Sequence, residues 1–208
     1  MYRHTSFETY WKTGVATAGL IAEKIDTYLE TEHPRIADWG CGLGRVIRHL
    51  PDRYQRHGFD YNHRAIGWVR ANIDNVEFSE NQLAPPLPVN AGVFDGVYAL
   101  SVFTHLSKDK HFHWMSEIDR ILAPGGILIA AFHMRPGEGQ LLAHEQEAFD
   151  RGELVVRSGV KEGSRIFTAH HPEEFLRDQL FKSFEILEGP FEMFGQEGFV
   201  VRKRVSVR

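Results

Sequence analysis

The sequence predicts an α/β protein, a mostly parallel sheet with helices packed on both faces. Short apolar runs that read as strands alternate along the chain with stretches whose apolar residues recur at helical spacing, the pattern of strand–helix–strand units. The first of these runs, starting at Arg35, ends in Asp38 and passes straight into three alternating glycines, Gly40, Gly42 and Gly44. Glycines in that number mark a sharp turn with positive φ, where a ligand can lie against the main chain.

Taken in order, residues 1–13 carry Tyr2, Phe7, Tyr10 and Trp11 and lead into a helix with Ile21, Ile25 and Tyr28 on one stripe. Helical spacing ends near Glu32, and His33-Pro34 breaks the chain before the first strand. After the glycines, Val46, Ile47 and Leu50 fit one helical face. A helix is therefore expected there, with free N–H groups and a positive dipole end at its start, before Pro51 stops it. His57 to Tyr61 reads as a second strand carrying Asp60 at its end. Asp60 lies roughly twenty residues beyond the turn, the spacing at which a carboxylate reaches ribose hydroxyls in nucleoside-binding units. The competing reading is a carboxylate held by the dipole of the next helix.

Ile66, Val69 and Ile73 stripe that helix, and Val76-Glu77-Phe78 forms a third strand. The loop Ser79 to Pro88 is stiffened by prolines and holds Asn81, either a turn former or a polar contact. Phe94 to Leu100 is the fourth strand and runs into Ser101-Val102-Phe103-Thr104-His105-Leu106. Trp114, Met115, Ile118, Ile121 and Leu122 stripe a helix that ends at Ala123-Pro124-Gly125-Gly126, followed by a buried fifth strand to Phe132. Residues 133–169 depart from the plain alternation: a loop from His133 to Gly139, a helix from Leu141 to Arg151, and Leu154-Val155-Val156 pairing with Arg165-Ile166-Phe167. Ligands bind at the carboxyl ends of parallel strands, so this segment reads as a substrate-side insertion or lid, or else as a purely structural hairpin. His171-Pro172-Glu173-Glu174 opens a last helix with Phe175, Leu176 and Leu180 inward, and residues 184–187 and 198–202 are the last two strands.

Composition narrows the class. A chain of 208 residues, 42% hydrophobic and 25% charged, fits one globular domain spanning 1–208. No run is long enough to span a bilayer, and the N-terminus has no apolar signal core. Cys41 is the only cysteine, which excludes an internal disulfide and a cysteine zinc cluster and suits a reducing cytoplasm. A net charge of −4 argues against a nucleic-acid surface, and Arg202, Lys203, Arg204 and Arg208 read as a solvated end. The twelve histidines are scattered without metal-ligand spacing.

A dinucleotide-binding turn needs a glycine three residues after its second glycine, where this chain has Arg45. Alternating glycines two residues after an acid instead resemble the cofactor loop of class I S-adenosylmethionine-dependent methyltransferases, small-molecule type. Phe94-Asp95 through His105-Leu106 is similar to their fourth-strand region, and Arg120-Ile121-Leu122-Ala123-Pro124-Gly125-Gly126 matches their R-x-L-x-P-G-G run. The Asn-Pro-Pro-Tyr of amino-methylating nucleic-acid enzymes is absent, as is a second cysteine. The resemblance covers residues 35–132 by motif and 170–203 by layout. It implies a three-layer αβα, Rossmann-like fold with a seven-stranded sheet in the order 3-2-1-4-5-7-6, the last strand antiparallel. It also implies S-adenosylmethionine as cofactor and S-adenosylhomocysteine as product. Asp38 would read the methionine end, Gly40, Cys41 and Gly42 would lie against it, and Asp60 would hold the ribose. Asn81 would accept from the adenine amino group where the family more often has aspartate, and Tyr61 and Leu100 would complete the set. Residues 1–34 form an N-terminal helical cap, whose Tyr10, Trp11 and Gly14 either cover the cofactor or merely pack.

With a sulfonium driving the reaction, the protein must align an acceptor and exclude water. An oxygen acceptor also needs its proton removed, which imidazole does near neutral pH. His105 and His133 end the fourth and fifth strands and are the candidate bases, or else histidines bonded to backbone; Tyr98 and the lid histidines stay open too. No acidic or asparagine cluster follows the fifth strand, so metal-independent transfer is expected, to a small-molecule, sugar or lipid-linked acceptor. The alternatives are a nicotinamide-dependent oxidoreductase, disfavoured by Arg45, and a non-catalytic cofactor-binding subunit of a complex.

Overall fold

Helix α1 (Phe7–Tyr28) starts where the Ser6 hydroxyl accepts the Thr9 amide N–H, and it buries Gly14, Thr17, Ala18, Ile21 and Ile25. The computed structural model describes residues 6–157, 159–164 and 166–205. Tyr2, Arg165 and Arg208, which the sequence reading singled out, lie outside the described residues. The chain continues through β1 (Arg35–Trp39), β2 (Gln55–Asp60), α2 (His63–Asn72), β3 (Glu77–Glu80) and β4 (Phe94–Ala99). It goes on through α3 (Lys108–Ile121), β5 (Leu122–Phe132), α4 (Ala143–Asp150), β6 (Val155–Arg157), β7 (Thr168–His170), β8 (Phe184–Met193) and β9 (Gln196–Lys203).

Seven strands form one sheet in the order β3-β2-β1-β4-β5-β9-β8. The first five are parallel to their neighbours, and β9 runs antiparallel to both β5 and β8. This is the predicted order, with the small β6–β7 hairpin adding two to the strand count. Alternation along the strands divides the core. Trp39, Val97, Leu128 and Phe132 pack on the side of α3, while Ile36, Tyr98, Ile129 and Ala131 pack with Ile21 and Ile25 of α1. Among the described residues, no helix is long and apolar enough to cross a membrane.

Four local expectations need correcting. No α-helix follows the glycine turn; a single 3-10 turn, Ile47–His49, stands in its place. Gly40, Gly42 and Gly44 have φ of 85°, 52° and 67°, and left-handed backbone through Gly44 cannot open a right-handed helix before Pro51 intervenes. The strand pairing with β6 is Thr168–His170 rather than 165–167, because that register turns Ala169 and His170 inward while Ile166 stays exposed. Strand β5 starts at Leu122, four residues earlier than the predicted Gly126, with a register irregularity on its neighbour between Phe94 and Gly96. The last helix is a wide π-type segment, Phe175–Leu180, which still buries the predicted Phe175, Leu176 and Leu180.

Candidate active site

The carboxyl ends of β1, β2, β4 and β5 open on one cavity of about 920 Å³. All ten residues singled out from the sequence line it: Asp38, Gly40, Cys41, Gly42, Asp60, Tyr61, Asn81, Leu100, His105 and His133. The strands bring them together, since parallel neighbours end at the same edge of the sheet.

The glycine turn forms a wall of this cavity. A Cβ on Gly42 would meet no atom within 4 Å, so the missing side chain leaves open space beside the backbone. The turn's own donors are already engaged. Gly40 N–H and Cys41 N–H both donate to Phe59 O, at 2.8 and 2.9 Å, and Gly42 N–H donates to Asp60 Oδ2 at 2.8 Å. With these amides spent and no helix behind them, the turn is no phosphate cradle. The expected positive helix end is absent, and the oxidoreductase alternative loses the donors a pyrophosphate needs.

Two carboxylates face the cavity. Asp60 accepts from Gly42 through one oxygen and from the Asn62 amide through the other, at 2.7 Å. Each oxygen keeps lone-pair capacity for a vicinal hydroxyl pair, and Asp60 also stands two residues before the Asn62 cap of α2, which leaves both sequence readings open. Asp38 is 4% exposed and accepts the Tyr98 hydroxyl on Oδ2 at 2.8 Å; Oδ1 has no hydrogen-bond partner among the described residues. Burial, together with the negative charge of Asp60, pushes Asp38 up to about 7, while the Tyr98 hydrogen bond and Arg45 work against that rise. Burial pushes the Cys41 thiol up as well, so it stays protonated and inert.

Asn81 donates through Nδ2 to Gln82 O at 2.7 Å, and its buried Oδ1 has no partner. An unsatisfied acceptor in the wall of a cavity is costly unless a ligand donor meets it, and an exocyclic adenine amino group is such a donor. Tyr61 stands exposed at the rim, its hydroxyl donating to Gly163 O at 2.7 Å. From α1, Tyr10 reaches the cavity wall. Gly14 lies so close to the turn that an added Cβ would sit 2.4 Å from Arg45 O. Trp11 does not line the cavity; it packs edge-on against His49.

The two histidines differ. His105 Nδ1 lies 2.7 Å from Phe167 O, a contact in which the nitrogen must donate, which leaves Nε2 bare as an acceptor. His133 has a buried, unpartnered Nδ1, and burial, helped by His170 and His105, brings it down to about 4. Tyr98 does not line this cavity, and burial beside Asp38 raises it well above the usual phenol range, which removes it as a base. Sequence reasoning missed Leu83 and Trp114, joined by an indole-to-carbonyl bond of 3.2 Å, and Ser101, held at φ 59°. It also missed Gly163 and Thr168 of the insertion as wall residues. Ser101's conformation has no local signal in the sequence, since it is imposed by the bend at the end of β4.

These features build one cavity at the strand ends of an α/β sheet, walled by the glycine turn and by Asp38, Asp60 and Asn81. Residues 36–126 match the model of the family described as methyltransferase domain. A SAM-dependent methyltransferase from Methanosarcina mazei is similar in structure, with 21% identity, 88% of this chain and 98% of that one covered, and a TM-score of 0.65. The PH0226 protein of Pyrococcus horikoshii OT3 is similar at 18% identity over 98% of both chains, with a TM-score of 0.67. SAM-bound CalS10, an amino pentose methyltransferase of Micromonospora echinaspora, is similar at 16% identity over 98% of this chain and 100% of that one, with a TM-score of 0.69. These likenesses establish the fold. The family match covers residues 36–126, less than half of the chain, and gives that stretch the sequence pattern of a methyltransferase domain.

Proposed function

We propose that the chain is a class I S-adenosylmethionine-dependent methyltransferase that moves the cofactor's methyl group to an oxygen of a small-molecule, sugar or lipid-linked acceptor, without a metal ion, in the cytoplasm. Bound S-adenosylmethionine supplies an electrophilic methyl on a sulfonium; the chain's residues do the rest. Asp38 and Asp60 offer the cavity carboxylate oxygens suited to an ammonium group and to ribose hydroxyls, beside Arg45 and Arg64 in the same wall. Asn81 Oδ1 takes the adenine amino group, Tyr61 and Leu100 flank the nucleoside, and the Gly40–Gly42 backbone lies along the methionine half.

The observation that carries the acceptor chemistry is the tautomer of His105. Its Nδ1–H is committed to Phe167 O, so Nε2 is free to take the acceptor's hydroxyl proton as the carbon–oxygen bond forms. His133, held neutral, suits a hydrogen-bonding wall rather than the base. A base oriented by a backbone carbonyl needs no metal-bound hydroxide, which supports metal-independent transfer. Phe167 belongs to the insertion at 133–169, and so does Gly163, whose N–H donates to His105 O at 2.9 Å. We therefore read the insertion as a lid that covers the cavity and orients the base. The amino pentose acceptor of CalS10 is one precedent for a sugar-like substrate on this fold.

Calorimetry with S-adenosylhomocysteine tests the cofactor half of this reading, and labelled methyl transfer to a metabolite extract tests the enzyme half. His105→Asn retains a donor for Phe167 O but removes Nε2. Transfer is expected to fall about 10²–10⁴-fold while S-adenosylhomocysteine affinity holds. Undiminished transfer by this variant removes His105 from the role, and binding without any transfer favours the non-catalytic subunit.

A further inference from the structure

Tyr98 is wholly buried, lines no part of the cavity, and among the described residues its hydroxyl has one hydrogen-bond partner, Asp38 Oδ2 at 2.8 Å. The sheet sets this pairing: Asp38 and Tyr98 are register partners in the parallel β1–β4 ladder, so their side chains leave the same face side by side. Packing against Ile36, Ile129 and Cys41 asks only for an aromatic ring at this place. Phenylalanine would fill it without carrying a hydroxyl into the interior, where an unsatisfied one is costly. The hydroxyl therefore serves Asp38.

We propose that Tyr98 is a positioning residue for the cofactor: its phenol holds Asp38 by Oδ2 and keeps Oδ1 turned to the cavity for the ammonium of the methionine half. This rests on the reading of Asp38 as the residue at that end of the cofactor. The same hydrogen bond also favours the charged carboxylate, since a donor stabilises the ionised form. Several groups bear on Asp38 besides Tyr98: Asp60 from β2, Arg45 and the thiol of Cys41 from the glycine turn, and Tyr10, which reaches the cavity from α1. Burial and Asp60 favour the protonated acid, Arg45 and Tyr98 the carboxylate, and the balance falls near neutrality. Tyr98 thus tips Asp38 toward the form that binds an ammonium ion at cellular pH.

The test is the dissociation constant of S-adenosylhomocysteine across pH for the wild type, Tyr98→Phe and Asp38→Asn. A lost hydrogen bond to a charged group raises the Asp38 midpoint by about one pH unit. The ratio of the Tyr98→Phe constant to the wild-type constant cancels the ligand's own amino-group titration. That ratio should be about ten near pH 6 and approach about one by pH 9. Asp38→Asn should bind weakly and lose the pH dependence in this range. A ratio constant with pH marks a merely structural role and overturns the proposal, as does a ratio of one throughout or an unchanged pH profile in Asp38→Asn. Should Tyr98→Phe not fold, the wild type still decides. Binding near pH 7, compared in buffers of different ionisation enthalpy, should release protons as the ammonium ionises Asp38, and no release overturns the proposal. A wild type that does not bind S-adenosylhomocysteine fails the cofactor reading itself, an outcome distinct from the others.

Discussion

Glu162 ties residues 159–164 to the start of α3. Its Oε1 accepts the Ser107 amide N–H at 2.5 Å, and its Oε2 pairs with Lys110 Nζ at 2.9 Å. Burial works to raise its pKa, but these donors outweigh that and hold it below the usual carboxylate range. Next to it, Gly163 donates to His105 O at 2.9 Å and accepts from Tyr61 at 2.7 Å. Glu162→Ala removes both contacts of the carboxylate. A backbone donor to a carboxylate is worth about 1.5–3 kcal/mol, and a partly exposed ion pair adds less than about 1. Taking about 2 kcal/mol for the two, the detached state of residues 159–164 should become about 30-fold more populated. Hydrogen exchange at the Gly163 amide reads this directly: it should speed up by about 30-fold while the β4 and β5 amides keep their protection. An acceleration below about threefold would mean that the insertion is held by other contacts, and the lid argument built on this anchor would fail.

Acid should unfold the protein through its buried histidines. Burial lowers His133 and His111 from 6.5 to about 4, and holds His171 well below the ordinary imidazole value. In the unfolded chain they bind protons at their ordinary values, so between about pH 6.5 and 4 the unfolded state holds more protons and stability rises with pH. Urea midpoints should therefore fall as pH drops through that window, and a flat midpoint there contradicts the burial. At the adenine end, Asn81→Ala should weaken S-adenosylhomocysteine binding by about two- to tenfold, the worth of one hydrogen bond. An analogue lacking the 6-amino group should bind wild type and variant alike, which calorimetry can check.

The elements legible in the sequence were those fixed by short-range pattern. The α1 stripe, the five parallel strands, the Asp38–Gly44 turn and the acid at Asp60 all follow from apolar period and spacing. That the candidates at the ends of β1, β2, β4 and β5 reached one cavity follows from parallel strands ending at a common edge, whereas Trp11 and Tyr98 do not line it. The edges of elements were less legible. Left-handed glycines overrode the helical stripe of Val46, Ile47 and Leu50, and burial of Ala169 and His170 chose the register of the β6–β7 hairpin.

By itself the sequence determined the alternation of strands and helices, the glycine turn after Asp38 and the polar residues near it, because local propensity and hydrophobic period act over a few residues. The tertiary structure alone decided how the two histidines differ, by placing Phe167 O against the His105 imidazole and burying that of His133. It also decided that the turn's amides are spent on Phe59 and Asp60, and that Tyr98 answers Asp38 across two strands. Those outcomes depend on contacts between residues far apart in the chain, and on the low dielectric their packing creates, neither of which any local pattern encodes.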